Sequence, residues 1–415
     1  MLDNKNALIH SGTIPLGGLY ITVDGEKFKQ GDKFPSVVQE GDSYSFGNYI
    51  YRYNYTPVLC KDINHFICEW TTIWKPNHSQ CGWGAMIQNG CESLFKLDDI
   101  LEKIAGKNIT SLDYAFYNCQ KLLFSPKIPL TVTSMKSTFQ NCTNLLSAPL
   151  LPKTLRFMNE TFKNCISLKT FGCSENVSVY NSFEKYEIPE NVISLSGTFR
   201  NCQSLKSLPN ISKCKQLESL NDTFSYCNSI KNLSDFKIPN NIIEMKHTFA
   251  YCKSLTHSPK LPNGVINLEF TFFNCTSLIS VCNLPNSVIN LSNTFSNCYS
   301  LTVAPPIPVN VVNLHATFAY CFSLSAISQL PEKINNMSYT FINCYALKEI
   351  CSFPQNLNTL QCCFYNCHSL SSVPEIPKKV KNLYRAFANC TKLCNPPQIP
   401  ETAINTADIF EGCNF

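Results

Sequence analysis

The chain lacks the features of a membrane-spanning, nucleic-acid-binding or secreted precursor protein. No uninterrupted apolar stretch approaches the roughly 20 residues that a membrane helix needs. Lys and Arg number 34 against 29 for Asp and Glu, and this net charge of +5 is spread over 415 residues without a basic run. Such a balance is too weak to indicate nucleic-acid binding. The N-terminal MLDNKNALIHSG lacks the basic-then-apolar pattern of a secretory signal. We therefore expect a soluble chain with no nucleic-acid partner.

The chain also lacks the common catalytic and cofactor motifs. It contains no G-x-G-x-x-G, no GK[ST] loop, no H-E-x-x-H and no G-x-S-x-G. Its seven histidines are scattered and form no nucleophile–base set. His247 and His315 fall in segments with helical spacing, where a surface or satisfied core role is the default. We expect no enzyme, no cofactor and no metal.

A Phe-x-x-Cys-x-x-Leu unit, in contrast, returns thirteen times, mostly every 23 residues. Its phenylalanines are Phe116, Phe139, Phe162, Phe199, Phe224, Phe249, Phe272, Phe295, Phe318, Phe341, Phe364, Phe387 and Phe410. A fixed period of this length indicates one supersecondary unit per repeat, stacked into a solenoid.

Positions within each repeat are counted from its cysteine, which is position 0. Apolar residues recur at −7, −3, 0 and +3, the spacing of one helical face, so we expect a short α- or 3₁₀-helix there. Apolar residues at +6 and +9, followed by proline at +10, predict an extended segment of three to five residues that pairs with the next coil. The Pro-x-x-Val region, such as residues 285–288, is expected to turn the chain back.

The predicted fold is an α/β repeat solenoid, a leucine-rich-repeat-like right-handed coil of about thirteen 23-residue units over residues 111–415. Equivalent residues of successive coils should form buried ladders. In the two central repeats the predicted ladder residues are Phe295, Cys298, Leu301, Phe318, Cys321 and Leu324. The 37-residue step from Cys165 to Cys202 predicts a loop insertion near residues 173–187.

The N-terminal quarter does not share the repeat. Residues 18–24 and 44–53 alternate as strands do, and the turn-forming pairs Asp24-Gly25, Gly31-Asp32 and Gly47-Asn48 lie around them. We expect a small β-hairpin module over residues 1–60. Residues 61–110 are expected to connect and cap the solenoid, with a helix at residues 98–105 (DDILEKIA).

The 24 cysteines would ordinarily suggest disulfides. Thirteen occupy the repeat position within the apolar pattern, and free Cys commonly packs as a small buried hydrophobe. Buried thiols are therefore favoured over the alternative, disulfides between adjacent coils about 4.8 Å apart. A further N-terminal group could be free thiols, two disulfides or a zinc site, although it contains no C-x₂₋₄-C pair. Its members are Cys60, His65, Cys68, His78, Cys81 and Cys91.

The pattern Thr-Phe-x-Asn-Cys-x-Ser-Leu followed by Ile/Leu-Pro resembles the BspA-like (Treponema-type) leucine-rich repeats. That family has a 23-residue period and an Ala/Thr-Phe-x-x-Cys-x-x-Leu core, and the resemblance covers about residues 111–415. It implies a cell-surface or secreted protein of bacteria, or of some protists, that adheres to host or matrix proteins or to other cells.

We accordingly expect a non-enzymatic binding protein whose strand face, on the order of 60 Å long at ~4.8 Å per coil, holds a protein or glycoprotein partner. The residues expected to contact it lie at positions +4, +5 and +8. They are His257, Lys260, Asn283, Gln329, Lys348, Glu349, Glu375 and Gln398.

Two other function classes stay open at this point. A cytoplasmic scaffold or effector could have the same fold. A carbohydrate-active enzyme would need paired carboxylates on one face, whereas the face carries acids only sporadically, as at Glu349 and Glu375.

Overall fold

A computed structural model describes six short strands between residues 18 and 59, residues 110–169 except 121, 124, 126 and 127, and residues 187–414. The predicted helix at residues 98–105, the N-terminal cysteine–histidine group and nearly all of the predicted insertion lie outside these residues. The chain divides into two units, Met1–Glu184 and Lys185–Phe415. The division falls inside the predicted insertion.

The N-terminal strands form two antiparallel sheets. The strands are β1 Gly18–Ile21, β2 Lys27–Phe28, β3 Val37–Val38, β4 Ser43–Phe46, β5 Tyr49–Arg52 and β6 Val58–Leu59. One sheet has the order β2-β1-β4-β5 and the other pairs β3 with β6. Phe46 pairs with Tyr49 in the antiparallel β4–β5 pair. The strands predicted from the alternation are confirmed, and the boundary of this module at residue 60 stays a prediction.

The inward-facing segment from −7 to 0 is a string of turns, and the predicted helix was wrong. In residues 291–298 the N–H of Cys298 donates to Phe295 O at 3.1 Å, a bond across three residues. However, Asn293 and Asn297 have φ angles of 55° and 62°. An α- or 3₁₀-helix needs negative φ throughout. A left-handed residue at every fourth position converts the segment into successive β-turns, and no helix occurs among the described residues.

These turns leave alternate N–H groups free to bond along the stack. The N–H of Phe295 donates to Thr317 O in the next coil at 2.9 Å, and that of Asn297 donates to Ala319 O at 2.7 Å. Buried backbone groups must be paired. In the turn string about half of the backbone N–H groups bond within their own coil, and the other half bond to the next coil. The same apolar positions that suggested a helix therefore still face inward.

The repeat phenylalanines form parallel ladders in the core of each unit. The ring centroids of Phe272 and Phe295 lie 5.8 Å apart, those of Phe295 and Phe318 lie 5.6 Å apart, and the planes differ by at most 13°. Full burial of one such ring contributes roughly 1.5–3 kcal/mol. The residues named above as central ladder members are all completely buried: Phe295, Cys298, Leu301, Phe318, Cys321 and Leu324.

Two further rows connect neighbouring coils through buried side-chain donors. The Cys298 thiol donates to Phe272 O at 3.3 Å, and the Thr294 hydroxyl donates to Leu268 O at 2.9 Å. Because both acceptors are main-chain carbonyls of the preceding coil, these side chains join the backbone ladder. The threonine row at −4 escaped the sequence reasoning, which followed only apolar residues.

The returning half of each coil pairs less than the sequence predicts. The Val288 N–H donates to Pro285 O at 3.1 Å, which confirms the predicted turn. The longest parallel ladder then follows that turn at position −8, as single-residue bridges that run from Ser219 to Asn405. Among the described residues of the second unit, bridges at +5 occur only along Asn232–His257–Ser280 and between Val303 and Ala326. The expected strand of three to five residues was wrong, because pairing at +5 is limited to single-residue bridges, and the proline at +10 has no N–H with which to extend it.

Candidate protein-binding surface

We call positions +4, +5 and +8 of the second unit the return face. All eight residues predicted to contact a partner are exposed there: His257, Lys260, Asn283, Gln329, Lys348, Glu349, Glu375 and Gln398. Five of them share the +8 row, so they follow one line along the stack. Their role in binding stays a prediction.

The backbone beneath this face is held between coils while several of its charges are unpaired. The Ser371 N–H donates to Lys348 O at 3.0 Å, which ties neighbouring coils at +4. Among the described residues, no oppositely charged group lies within 4.0 Å of the charged atoms of Lys260, Lys348, Glu349 or Glu375. These side chains are consequently available to charged groups of a partner.

The ion pairs of the second unit lie mainly on the turn string instead. Lys246 Nζ is 3.1 Å from Glu269 Oε2, and Arg385 Nε is 3.2 Å from Asp408 Oδ2. Both pairs are partly exposed to solvent, so each contributes little to stability. The two faces of a coil thus differ: charges neutralise one another on the turn string and stay single on the return face.

No arrangement of chemical groups in the described residues indicates catalysis or metal binding. No cluster of three His, Cys, Asp or Glu side chains there could hold a metal ion. Glu349 and Glu375 belong to neighbouring coils but to different rows, +5 and +8. This staggering gives no support to a carboxylate pair that acts on a sugar.

His247 and His315 lie in the turn string, and each ring contacts an aromatic neighbour edge-on. The His247 centroid is 4.7 Å from Phe270, and the His315 centroid is 5.7 Å from Tyr339. Burial lowers the pKa of His315. His247 Nδ1 is 3.7 Å from Asp222 Oδ1, while its Nε2 has no hydrogen-bond partner among the described residues. Both histidines pack against aromatic rings, and the 3.7 Å between His247 Nδ1 and Asp222 Oδ1 is too long for a hydrogen bond that would orient the imidazole.

The nineteen cysteines in the described residues are free thiols. Twelve of the thirteen repeat cysteines are buried, and Cys413 is half-buried. Burial raises the pKa of Cys252 and of Cys321 to about 12, so these thiols stay protonated and unreactive at neutral pH. The structure agrees with the buried-thiol interpretation, and among the described cysteines only Cys351 and Cys394 are exposed.

A row of aromatic rings at position +1, of which Phe322 is half-buried and the others are exposed, was not predicted from the sequence. Position +1 carries Tyr299, Phe322, Tyr345 and His368 in four successive coils, with ring centroids 4.6, 5.0 and 5.2 Å apart. Tyr320, at −1, meets Phe322 edge-on at 6.4 Å. The signal was present in the sequence as the residue directly after each repeat cysteine, which the apolar pattern at 0 and +3 overshadowed.

In the described part of the chain, no helix has the length and apolar character to cross a membrane. Among curated proteins, none matches the chain.

Solved structures of leucine-rich repeat proteins are similar to this chain. One from Bacteroides ovatus has 23% identity and a TM-score of 0.43, and the match covers 66% of this chain and 77% of that one. A leucine-rich cell surface protein from Faecalibacterium prausnitzii has 23% identity and a TM-score of 0.40, with 63% and 75% covered. A leucine-rich repeat protein of T. pallidum has 24% identity and a TM-score of 0.28, with 46% and 72% covered.

The sequence profile described as "BspA type Leucine rich repeat region (6 copies)" matches the chain in overlapping segments, residues 91–182, 178–302, 220–337, 268–394 and 314–415. Together these segments run from residue 91 to the last residue, well over half of the chain. The match confirms that the repeats are leucine-rich repeats, and the chain belongs to the BspA-type leucine-rich repeat family.

Proposed function

We propose that this chain is a non-enzymatic adhesion protein that stands at a cell surface and binds a protein or glycoprotein partner through the return face of its second unit. The proposal rests on the difference between the buried rows and the exposed rows of each coil. Buried rows repeat the same Phe, Thr and Cys, whereas the exposed rows at +4, +5 and +8 differ from coil to coil. A surface that the fold leaves free to vary is where a repeat protein acquires specificity.

The unpaired charges of the return face supply the specific contacts. Lys348 and Glu349 are adjacent and exposed, and Glu375 follows in the next coil. Electrostatic complementarity chiefly determines partner choice and association rate. A partner with a matching acidic and basic pattern would therefore recognise this stretch, and its binding would weaken with salt.

The test is a binding assay of the purified chain on a panel of matrix glycoproteins and on intact cells. The triple variant Lys348→Glu, Glu349→Lys, Glu375→Lys reverses the return-face charges, and we expect it to lose at least tenfold in affinity for whichever panel member the wild type binds. A matched control reverses three exposed charges outside these rows, Lys392→Glu, Glu332→Lys and Glu401→Lys.

Equal binding by the triple variant and the wild type would contradict the return-face assignment. Equal loss in the control variant would do the same, because it would mark the effect as one of net charge. Surface placement has its own test: trypsin added to intact cells should remove the protein, and full protection until the cells are lysed would favour the intracellular alternative.

A further inference from the structure

The turn side of the second unit carries a group of aromatic residues that the core does not need. We call Tyr299, Tyr320, Phe322, Tyr345 and His368 the aromatic strip. At its +1 positions, other coils of the same unit carry Lys253, Thr276 or Thr391 and stack equally well. A requirement of the fold therefore does not account for four successive rings at this position.

Tyr320 occupies a backbone conformation that an aromatic residue rarely adopts. Its φ is 60°, and it stands where most neighbouring coils have Asn, such as Asn297 with φ of 62° and Asn343 with φ of 59°. Asn tolerates the left-handed region, whereas for a bulky residue it is an outlier. The Tyr320 ring is 40% exposed, so core burial does not compensate for this strain. Tyr226 and Tyr251 share this conformation at the same position outside the strip, with φ of 63° and 61°, so Tyr320 contributes an exposed ring to the strip and no strain peculiar to it.

The strip lies in four coils that carry no charged residue from position −7 to position +3. Residues 291–301, 314–324, 337–347 and 360–370 contain no Asp, Glu, Lys or Arg. The preceding coil has Glu269 in the same segment, and the following coil has Arg385 and Lys392. A charged ligand on the strip would lose its hydration without finding a counter-charge. The charge pattern thus selects an uncharged ligand and limits its length to about four coils.

The rings present their edges to solvent because their faces cover one another. Neighbouring ring planes along Tyr299, Phe322, Tyr345 and His368 are inclined by only 2–22° at centroid distances of 4.6–5.2 Å. A sugar ring stacks on an open aromatic face, which the inner members of this ladder do not offer. A row of edges instead forms a continuous apolar surface along which an extended chain can lie.

The spacing of the ladder fits one extended conformation. A polyproline II helix rises about 3.1 Å per residue with three residues per turn, so it repeats about every 9.3 Å. Tyr299 and Tyr345 are separated by two ladder steps of 4.6 and 5.0 Å, nearly the same length. Their hydroxyl groups come in alternate coils and can meet equivalent carbonyls of successive polyproline II turns, which have no internal hydrogen bonds. Aromatic surfaces bind such helices because the ligand is already ordered.

We propose that the aromatic strip is a docking site for an uncharged, proline-rich peptide segment in the polyproline II conformation, which lies along the stack of coils. This site is separate from the return face and does not rest on the function assigned to that face.

The test titrates the full chain with a fluorescent decaproline peptide and, in parallel, with a Gly-Ser decapeptide and with maltoheptaose. We expect saturable binding of decaproline alone. The variant Tyr345→Thr, which introduces the residue type found at position 391, should weaken decaproline binding at least tenfold without a change in the thermal unfolding midpoint. The control Lys253→Thr, at the same position outside the strip, should bind as the wild type does.

A second variant guards against an unstable protein. Tyr320→Asn restores the residue type that most coils carry there, and it should fold at least as well as the wild type while binding decaproline more weakly. The return-face triple variant should bind decaproline normally, so failure of one site is distinguishable from failure of the other. Absent decaproline binding, unchanged binding in Tyr345→Thr, or strip-dependent binding of maltoheptaose in place of decaproline would overturn the proposal.

Discussion

The turn string and the return face of the second unit differ in how far the fold dictates their residues. Along the turn string, Phe295, Thr294 and Cys298 are each fully buried and bonded or stacked to neighbouring coils. Along the return face, Lys348 and Glu349 are exposed and unpaired among the described residues. Residues that repeat carry stability, and residues that vary are free to carry recognition. The aromatic strip is the exception, because its residues lie in or directly after the turn string and yet differ from coil to coil.

Deprotonation of the buried thiols should have the largest effect on the stability of the turn string. Burial raises the pKa of Cys252 and Cys321 to about 12, whereas an unfolded thiol titrates near pH 8.5. Above about pH 9 the unfolded chain loses protons that the folded chain retains, so the free energy of unfolding must fall as the pH rises. The contribution of these thiols to the free energy of unfolding is fully present below the pKa of the unfolded thiol. By pH 10 each of them has lost about 1.4 kcal/mol or more of this contribution.

Urea unfolding at pH 8 and pH 10 measures this effect, which is the largest we predict because burial raises the pKa of eight buried repeat thiols. Lys and Tyr also titrate in this range, so the variant Cys321→Ala serves as the control. It should lose less stability between the two pH values than the wild type does, by about one thiol's share. An identical pH dependence in the variant would mean that Cys321 is not a buried thiol.

Removal of one ring from the phenylalanine ladder should have the next largest effect. Phe295→Ala leaves a cavity between Phe272 and Phe318, and we expect it to lower the free energy of unfolding by about 3–5 kcal/mol. Ile404→Ala, at a side chain that is 79% exposed, should change it by less than about 0.5 kcal/mol. Chemical denaturation of both variants tests the assigned register, which an unchanged Phe295→Ala midpoint would contradict.

Loss of one hydroxyl from the threonine row should have a smaller effect. The Thr317 hydroxyl donates to Leu291 O at 2.8 Å, and that carbonyl also accepts the Thr294 N–H at 3.1 Å. Thr317→Val keeps the shape and leaves the carbonyl one partner, so we expect a loss of roughly 0.5–1.5 kcal/mol. Thr317→Ser should retain the bond. Two coils have Cys363 and Ala386 in place of Thr at this position. The fold thus tolerates loss of the hydroxyl, which limits how much the row can contribute to the free energy of unfolding.

The smallest effect should have the opposite sign. Tyr320→Asn relieves the left-handed strain at φ 60°, and we expect the free energy of unfolding to rise by roughly 0.5–1 kcal/mol. Thermal and urea unfolding of this variant measure the gain. A loss of stability would show that the Tyr320 ring serves the fold, and the argument for a functional strip would fail with it.

The sequence predicted the period, the inward rows and the turns at proline, because burial and proline geometry are local signals. It did not predict the turn string, since the −7, −3, 0, +3 spacing is shared by a helix and by successive β-turns. Asn297, directly before the repeat cysteine, was the available signal, because Asn is enriched in the left-handed region. The ladder at −8 was missed for another reason. The pairing of Asn290 depends on the position that the turn at Pro285 gives to the residues after it.

The candidate sites were predicted less completely than the core. Counting from the cysteine placed Lys348 and Glu375 on the surface, but exposure alone does not identify a partner. The aromatic strip became visible only when coil spacing put Phe322 against Tyr299 and Tyr345. Residues that are 23 apart in the sequence become neighbours only when the coils stack. The sequence alone therefore shows each ring as an isolated residue.

The most direct test of the central claim is a paired measurement of partner affinity and unfolding free energy in the return-face variant Lys348→Glu, Glu349→Lys, Glu375→Lys. We expect the affinity for the panel ligand to fall at least tenfold while the free energy of unfolding changes by less than about 0.5 kcal/mol. A variant that binds as well as the wild type, or one that loses binding only because it unfolds, would contradict the separation of fold and recognition between the two faces.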